Sequence, residues 1–216
     1  MSKWEHVFWD WNGTLLDDVD ECIKIINVSL QKRNLKPIGK IEYLEKFQFP
    51  VKKYYEAIGF DFSRETFENA GKEYINAYSD RMFACSLHAS AIDVLEKFHD
   101  AGISQYIVSA LNFNSLERCV TSFGLTKFFK KIKGLDDHYA YSKIELGREL
   151  IAEIGIDPKK AVLIGDTLHD YETACAMGID CILIAAGHNS SERLQKCGVP
   201  VFDDLGSLYR KIEEMI

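Results

Sequence analysis

From residue 86 onward, short apolar runs alternate with helical segments. SQYIVSA, KAVLIGD, CILIAAG and PVFDD fall between stretches of helical periodicity at 90–101, 115–123, 142–154, 170–177 and 190–197. Few folds satisfy that alternation. Strands separated by helix-length connections pair in parallel, and a parallel sheet needs helices on both faces. One more strand, HVFWD, stands near the start of the chain, and residues 17–83 read almost entirely as helix. There Val19, Ile23, Ile26 and Leu30 share a face, as do Val51, Tyr54, Tyr55 and Ile58, and then Phe67, Ala70, Tyr74 and Tyr78. The first strand has to rejoin the later ones. The expectation is an α/β three-layer sandwich formed by 1–16 and 84–216, with 17–83 inserted as an α-helical cap.

With 216 residues, 47% of them apolar, the chain can bury a full core. No apolar run approaches the roughly 18 to 20 residues of a membrane span, and MSKWEHVFWD carries no signal-peptide pattern. A cytoplasmic protein without membrane partners is expected. Cys22, Cys85, Cys119, Cys175, Cys181 and Cys197 form no CxxC pair and read as reduced core residues. A net charge of −7 without a basic stripe argues against nucleic acid, so an anionic substrate would need a local cation.

Three strand ends carry polar chemistry: Asp10 after HVFW, Ser109 after YIV and Asp166 after VLIG. Parallel sheets bind ligands beyond the carboxyl ends of their strands, so these residues are expected along one edge, under the cap. Asp10, Asp166 and Asp170 would repel one another there, and hard carboxylate oxygens in that number suit Mg²⁺. Read singly, each has an ordinary explanation: Asn12-Gly13 a turn, GDTLHD an Asp-capped helix start, Ser109 a strand terminus, Lys143 a solvated lysine.

Taken in order, FWDWNGTLLDD, IVSA, YSKIELGRELI and GDTLHD resemble the haloacid dehalogenase superfamily, in particular its C1-capped, phosphoglycolate phosphatase-like branch. The resemblance implies a Rossmann-like core and a phosphohydrolase acting on a small phosphorylated metabolite, as monomer or homodimer. Asp10 would be the nucleophile and would carry an aspartyl-phosphate. Mg²⁺ would be held by Asp10, the Asn12 carbonyl and Asp166, with Asp170 on a metal-bound water or its neighbour. Ser109, the Ala110 amide and Lys143 would receive phosphoryl oxygens. Gly13 would let the backbone turn against the phosphate, and Thr14 would fix that loop.

One residue departs from the pattern. Two positions after the nucleophile such phosphatases usually carry an Asp that protonates the leaving oxygen; Asn12 cannot, and positioned acid catalysis is typically worth about 10² to 10⁴ in rate. Three readings stay open. The enzyme favours good leaving groups such as acyl or aryl phosphates, or recruits another acid, although Asp17 and Asp18 read as solvated hinge residues. It is a phosphonatase-type C–P hydrolase using Lys52 or Lys53. Or it binds a phosphorylated ligand without turnover, as a sensor. Phe47, Phe49 and Lys52, around the FQFP break, are the substrate-facing candidates in the cap. His88 has no assigned role, His169 reads as a helix-start residue, and His138 and Tyr139 could orient the Lys143 loop.

Overall fold

The computed structural model describes residues 3–136 and 143–215; His138 and Tyr139 lie outside them. The chain opens with β1 (His6–Trp9), β2 (Leu16–Asp17) and the helices α1 (Val19–Lys32), α2 (Lys40–Lys46), α3 (Val51–Ala57) and α4 (Phe67–Arg81). Then come β3 (Ser86–Leu87), α5 (Ala91–Asp100), β4 (Ser104–Asn112), α6 (Phe113–Ser122), β5 (Phe129–Leu135) and α7 (Lys143–Ile154). The remainder is β6 (Ala161–Gly165), α8 (Leu168–Met177), β7 (Asp180–Ile184), α9 (Ser191–Gln195), β8 (Val201–Phe202) and α10 (Leu205–Met215).

Six strands form one sheet in the order β5-β4-β1-β6-β7-β8, every pair parallel. Side chains alternate across it, as a strand's period of two demands. Val7, Trp9, Ile107, Val162, Ile164, Ile182 and Ile184 face a core completed by α5, α6 and α10. Phe8, Tyr106, Val108, Leu163 and Leu183 face another, completed by α7, α8 and α9. This is the α/β, Rossmann-like three-layer sandwich that the alternation requires. The strand order reverses at β1, and such a switch point opens a crevice at the carboxyl edge. Asp10 is the first residue past β1.

Besides the two short strands β2 and β3, two larger elements escape the sequence reading. β5, FKKIKGL, lies at the sheet edge, where lysines discourage pairing with other chains and dilute the apolar signal. α10 buries Leu205, Leu208 and Ile212. Among the cysteines, Cys22, Cys119 and Cys181 are buried as expected, whereas Cys175 is exposed on α8.

The helical segment is bounded by a two-stranded antiparallel ribbon, Leu16 opposite Leu87 and Asp17 opposite Ser86. Its helices share an aromatic interior with Tyr43, Tyr54, Tyr55 and Phe60 buried. The far side is pinned to the sheet domain. Asn189 Nδ2 donates to the Phe47 carbonyl at 3.0 Å, Arg193 donates to the Leu44 and Phe47 carbonyls at 2.7 Å each, and Phe49 stacks on His169 at 4.6 Å.

Candidate active site

Asp10, Ser109, Lys143, Asp166 and Asp170 come together at the carboxyl edge, all buried. Lys143, the first residue of α7, donates through Nζ to both Asp10 Oδ1 and Asp170 Oδ1. Burial alone would lower the Lys143 ammonium; the two carboxylates outweigh it and hold the charge. Asp170 is lowered in turn: burial pushes it up, but Lys143 and the donors of Thr167 prevail. Its Oδ2 accepts from the amides of Asp166 (3.1 Å) and Thr167 (2.9 Å) and from the Thr167 hydroxyl (2.6 Å). The cap of α8 is therefore Thr167 in a reciprocal capping box, not an aspartate. Asp170 anchors both that helix start and Lys143.

Asp166 is clamped. The Thr14 hydroxyl donates to Oδ1 at 2.7 Å and the His188 amide to Oδ2 at 2.6 Å. A Cβ on Gly13, where φ is +76°, would collide with Asp166 and His188, and one on Gly187 would collide with Asp166. Both positions need glycine for this approach. Thr14 thus holds the acid rather than the loop.

Ser109 is not at the end of its strand. β4 runs on to Asn112, and the register against β5 breaks between Val108 and Asn112, so Ser109 opens a bulge that re-aims the backbone. Its Oγ accepts from the Leu111 amide at 3.1 Å, leaving its O–H as a donor. Ala110 follows, lining the same cavity.

One oxygen each from Asp10, Asp166 and Asp170 lie within 4.8 Å of one another, a spacing that could hold a metal ion. Burial raises both Asp10 and Asp166; Lys143 opposes this at Asp10, while Asp170 and Asp166 add to it. At Asp166 the His188 charge opposes it. Hard oxygens in a negative, desolvated cluster fit a divalent cation, which would relieve that strain on ionisation. Asp170 is the most heavily engaged of the three, with Lys143 on one oxygen and the capping box on the other.

The structure overturns the reading of Asp18 as solvated. It is 1% exposed, and its carboxylate accepts from the Gly13 amide (2.9 Å), Asn12 Nδ2 (2.9 Å), the Tyr78 hydroxyl (2.6 Å) and His188 Nε2 (3.2 Å). Asp17, on the ribbon, is exposed. Asn12 Nδ2 also donates to Tyr78. An aspartate at position 12 would face Asp18 across the same gap, where two carboxylates cannot both ionise. The amide is what Asp18 requires.

His188 was missed as well. It follows β7 in AAGHNSS, one more strand end at the carboxyl edge, and that position could have marked it. Its Nδ1 meets the Tyr43 hydroxyl at 2.9 Å. Burial pulls the imidazole down, but the Asp18 charge, with Asp166 and Asp10 behind it, raises it to about 9. For Asp18, burial pushes up and His188 outweighs it, leaving about 2. The His188 contribution to stability is complete below its unfolded value near 6.5 and is lost as pH rises through about 9. Resistance to urea should fall across that interval, and His188→Gln should flatten the decline; an unchanged slope in the variant would contradict the pairing.

A cavity of about 770 Å³ opens from Asp10, Ser109 and Lys143 into the helical segment, where Phe47, Phe49 and Lys52 line it with other aromatic residues. The Lys52 ammonium lies 5.7 Å from the centre of the Phe62 ring. His88 Nε2 is buried without a partner among the described residues, and His169 also lines the cavity.

A family model of haloacid dehalogenase-like hydrolases matches residues 7–184. The chain belongs to that family. It is 23% identical over 201 residues to a 5'-nucleotidase of Pseudomonas aeruginosa, covering 89% of this chain and 88% of that one. It is 22% identical over 227 residues to a phosphoglycolate phosphatase of Psychrobacter arcticus, covering 94% and 93%. Its fold superposes on a crystal structure from Clostridium acetobutylicum described as "a predicted phosphatase", with TM-score 0.82, 22% identity and coverage of 99% and 100%. It also matches the protein tyrosine kinase PtkA of Mycobacterium tuberculosis, with TM-score 0.80, 23% identity and 98% coverage of each. One fold thus carries several named activities, and the reaction has to be argued from the site.

Proposed function

We propose that the protein is a Mg²⁺-dependent phosphohydrolase acting on a small-molecule phosphate monoester, with residues 1–16 and 84–216 as its catalytic core and 17–83 as the cap. The observation that carries this is the Lys143 ammonium bridging Asp10 and Asp170 beside Asp166 at the sheet's switch point. Lys143 holds the Asp10 carboxylate in one orientation and offers charge to an incoming phosphoryl group. Asp10 attacks phosphorus and becomes an aspartyl-phosphate, which water then hydrolyses. The Ser109 hydroxyl and the Ala110 amide receive phosphoryl oxygens. Asp10, Asp166 and the Asn12 carbonyl would hold Mg²⁺, which when bound neutralises charge on attacker and phosphate alike. Asp170 positions Lys143, and Asp18 with Asn12, Tyr78 and His188 fixes the loop that carries Gly13.

Lys52 and Lys53 are exposed, unlike the desolvated amines that form Schiff bases, so the C–P hydrolase reading gains nothing from the geometry. Phosphate release should require Mg²⁺, vanish with a chelator and return when the ion is restored. Full turnover in chelator would refute the proposal.

Asn12→Asp tests the amide. It should lower stability by about 1–3 kcal/mol by disturbing the Asp18 network. It should also raise the ratio of alkyl to aryl phosphate turnover about tenfold or more, because only the alkyl leaving group needs a proton. An unchanged ratio would show that position 12 does not govern leaving-group protonation.

A further inference from the structure

We propose that the leaving group is a phenol: the substrate is an aryl phosphate monoester whose ring enters the aromatic cavity. This rests on the phosphohydrolase reading and names its substrate class.

Two independent observations converge on it. The first concerns protons. Asn12 has no proton to transfer, and its amide is committed to Asp18 and Tyr78. Asp18 accepts from five groups around it, the Gly13 amide, Asn12, the Cys22 thiol, Tyr78 and His188. Both ring nitrogens of His188 are occupied, one by Tyr43 and one by Asp18, and Lys143 donates to Asp10 and Asp170. His169 and Glu172, which also line the cavity, meet each other at 3.1 Å. Among the described residues that line the cavity with Asp10, then, each of these acids already has a partner within the protein. A phenol ionises near pH 10, roughly five units or more below a water-like alkoxide, and departs without help.

The second concerns the cavity. At about 770 Å³ it lies in the range of pockets for drug-sized ligands and far exceeds what a glycolate needs. Its walls include Phe47, Phe49, Tyr54, Phe67 and Tyr74, surfaces that suit the face or edge of a ring. The Tyr54 ring packs edge-on against Tyr43 and Phe47, so the wall is itself a set of interlocked aromatic rings.

The reaction balances. An Asp10 oxygen bonds to phosphorus as the P–O(aryl) bond breaks, and its electron pair leaves with the phenolate. Water then attacks phosphorus, freeing Asp10 and inorganic phosphate, and the proton shed by that water is the one the phenolate takes up.

The test is Mg²⁺-supported phosphate release by the whole chain from phenyl phosphate, 4-hydroxyphenyl phosphate, phosphoglycolate and adenosine 5'-monophosphate, with a series of ring-substituted phenyl phosphates. The aryl esters should exceed the two alkyl esters by about 100-fold or more in kcat/KM, the scale of an absent general acid. Within the ring series kcat/KM should rise steeply as the phenol becomes more acidic. Equal or better turnover of phosphoglycolate or the nucleotide, or a flat dependence on phenol acidity, would overturn the inference and leave the phosphohydrolase reading standing. Release from none of the substrates would overturn both.

Discussion

Asp10→Asn should lose phosphate release from every substrate by on the order of 10⁴-fold or more, because removal of a covalent nucleophile leaves only binding and electrostatics to act. The amide keeps the volume and can still accept from Lys143, so the fold should persist. Burial and the neighbouring acids make Asp10 reluctant to ionise, and replacing it removes a charge that the site holds at a cost. Thermal stability measured without metal should therefore be unchanged or higher while activity is gone. Turnover within tenfold of the parent would remove Asp10 from the chemistry.

Asp18→Ala should cost more stability than Asp10→Asn, Asn12→Asp or His188→Gln. It leaves the His188 imidazolium buried without its counter-charge and strips acceptors from the Gly13 amide, Asn12 and Tyr78. Breaking a buried ion pair from one side costs about 3–5 kcal/mol, a large share of the 5–15 kcal/mol typical of a folded protein. At this chain length that corresponds to a fall in Tm of about 10 °C. Because the damage is an unpaired charge, His188→Gln added to Asp18→Ala should recover part of it, so the double variant should be less unstable than the sum of the singles. Strict additivity would mean that the two residues do not act as a pair.

Legibility in the sequence followed physical contrast. VFW, AVLIG and CILI are fully buried apolar runs, and the acids that end two of them stand out against that background. Ser109 and Lys143 carry no such contrast and became visible only through their order along the chain. β5 hid behind the lysines that its edge position favours. The Asp18–His188 pair spans 170 residues, and no local pattern reports a contact that exists only when the helical segment closes on the sheet edge. Asn12 looked like a loss for the same reason: its partner could not be seen. The aromatic spacing in 47–74 predicted a helical interior, and part of it instead lines a cavity, because Tyr54 and Tyr74 border open space as well as core.

An aspartyl-phosphate on Asp10 is tested by quenching turnover of an aryl phosphate in acid, reducing any acyl-phosphate with borohydride, and mapping the product by mass spectrometry. Trapped Asp10 should appear as homoserine, in a Mg²⁺-dependent amount, and not in Asp10→Asn. Steady turnover with the reduced product at another residue, or with no homoserine in the Asp10 peptide under conditions that trap a control acyl-phosphate, would contradict covalent catalysis by Asp10.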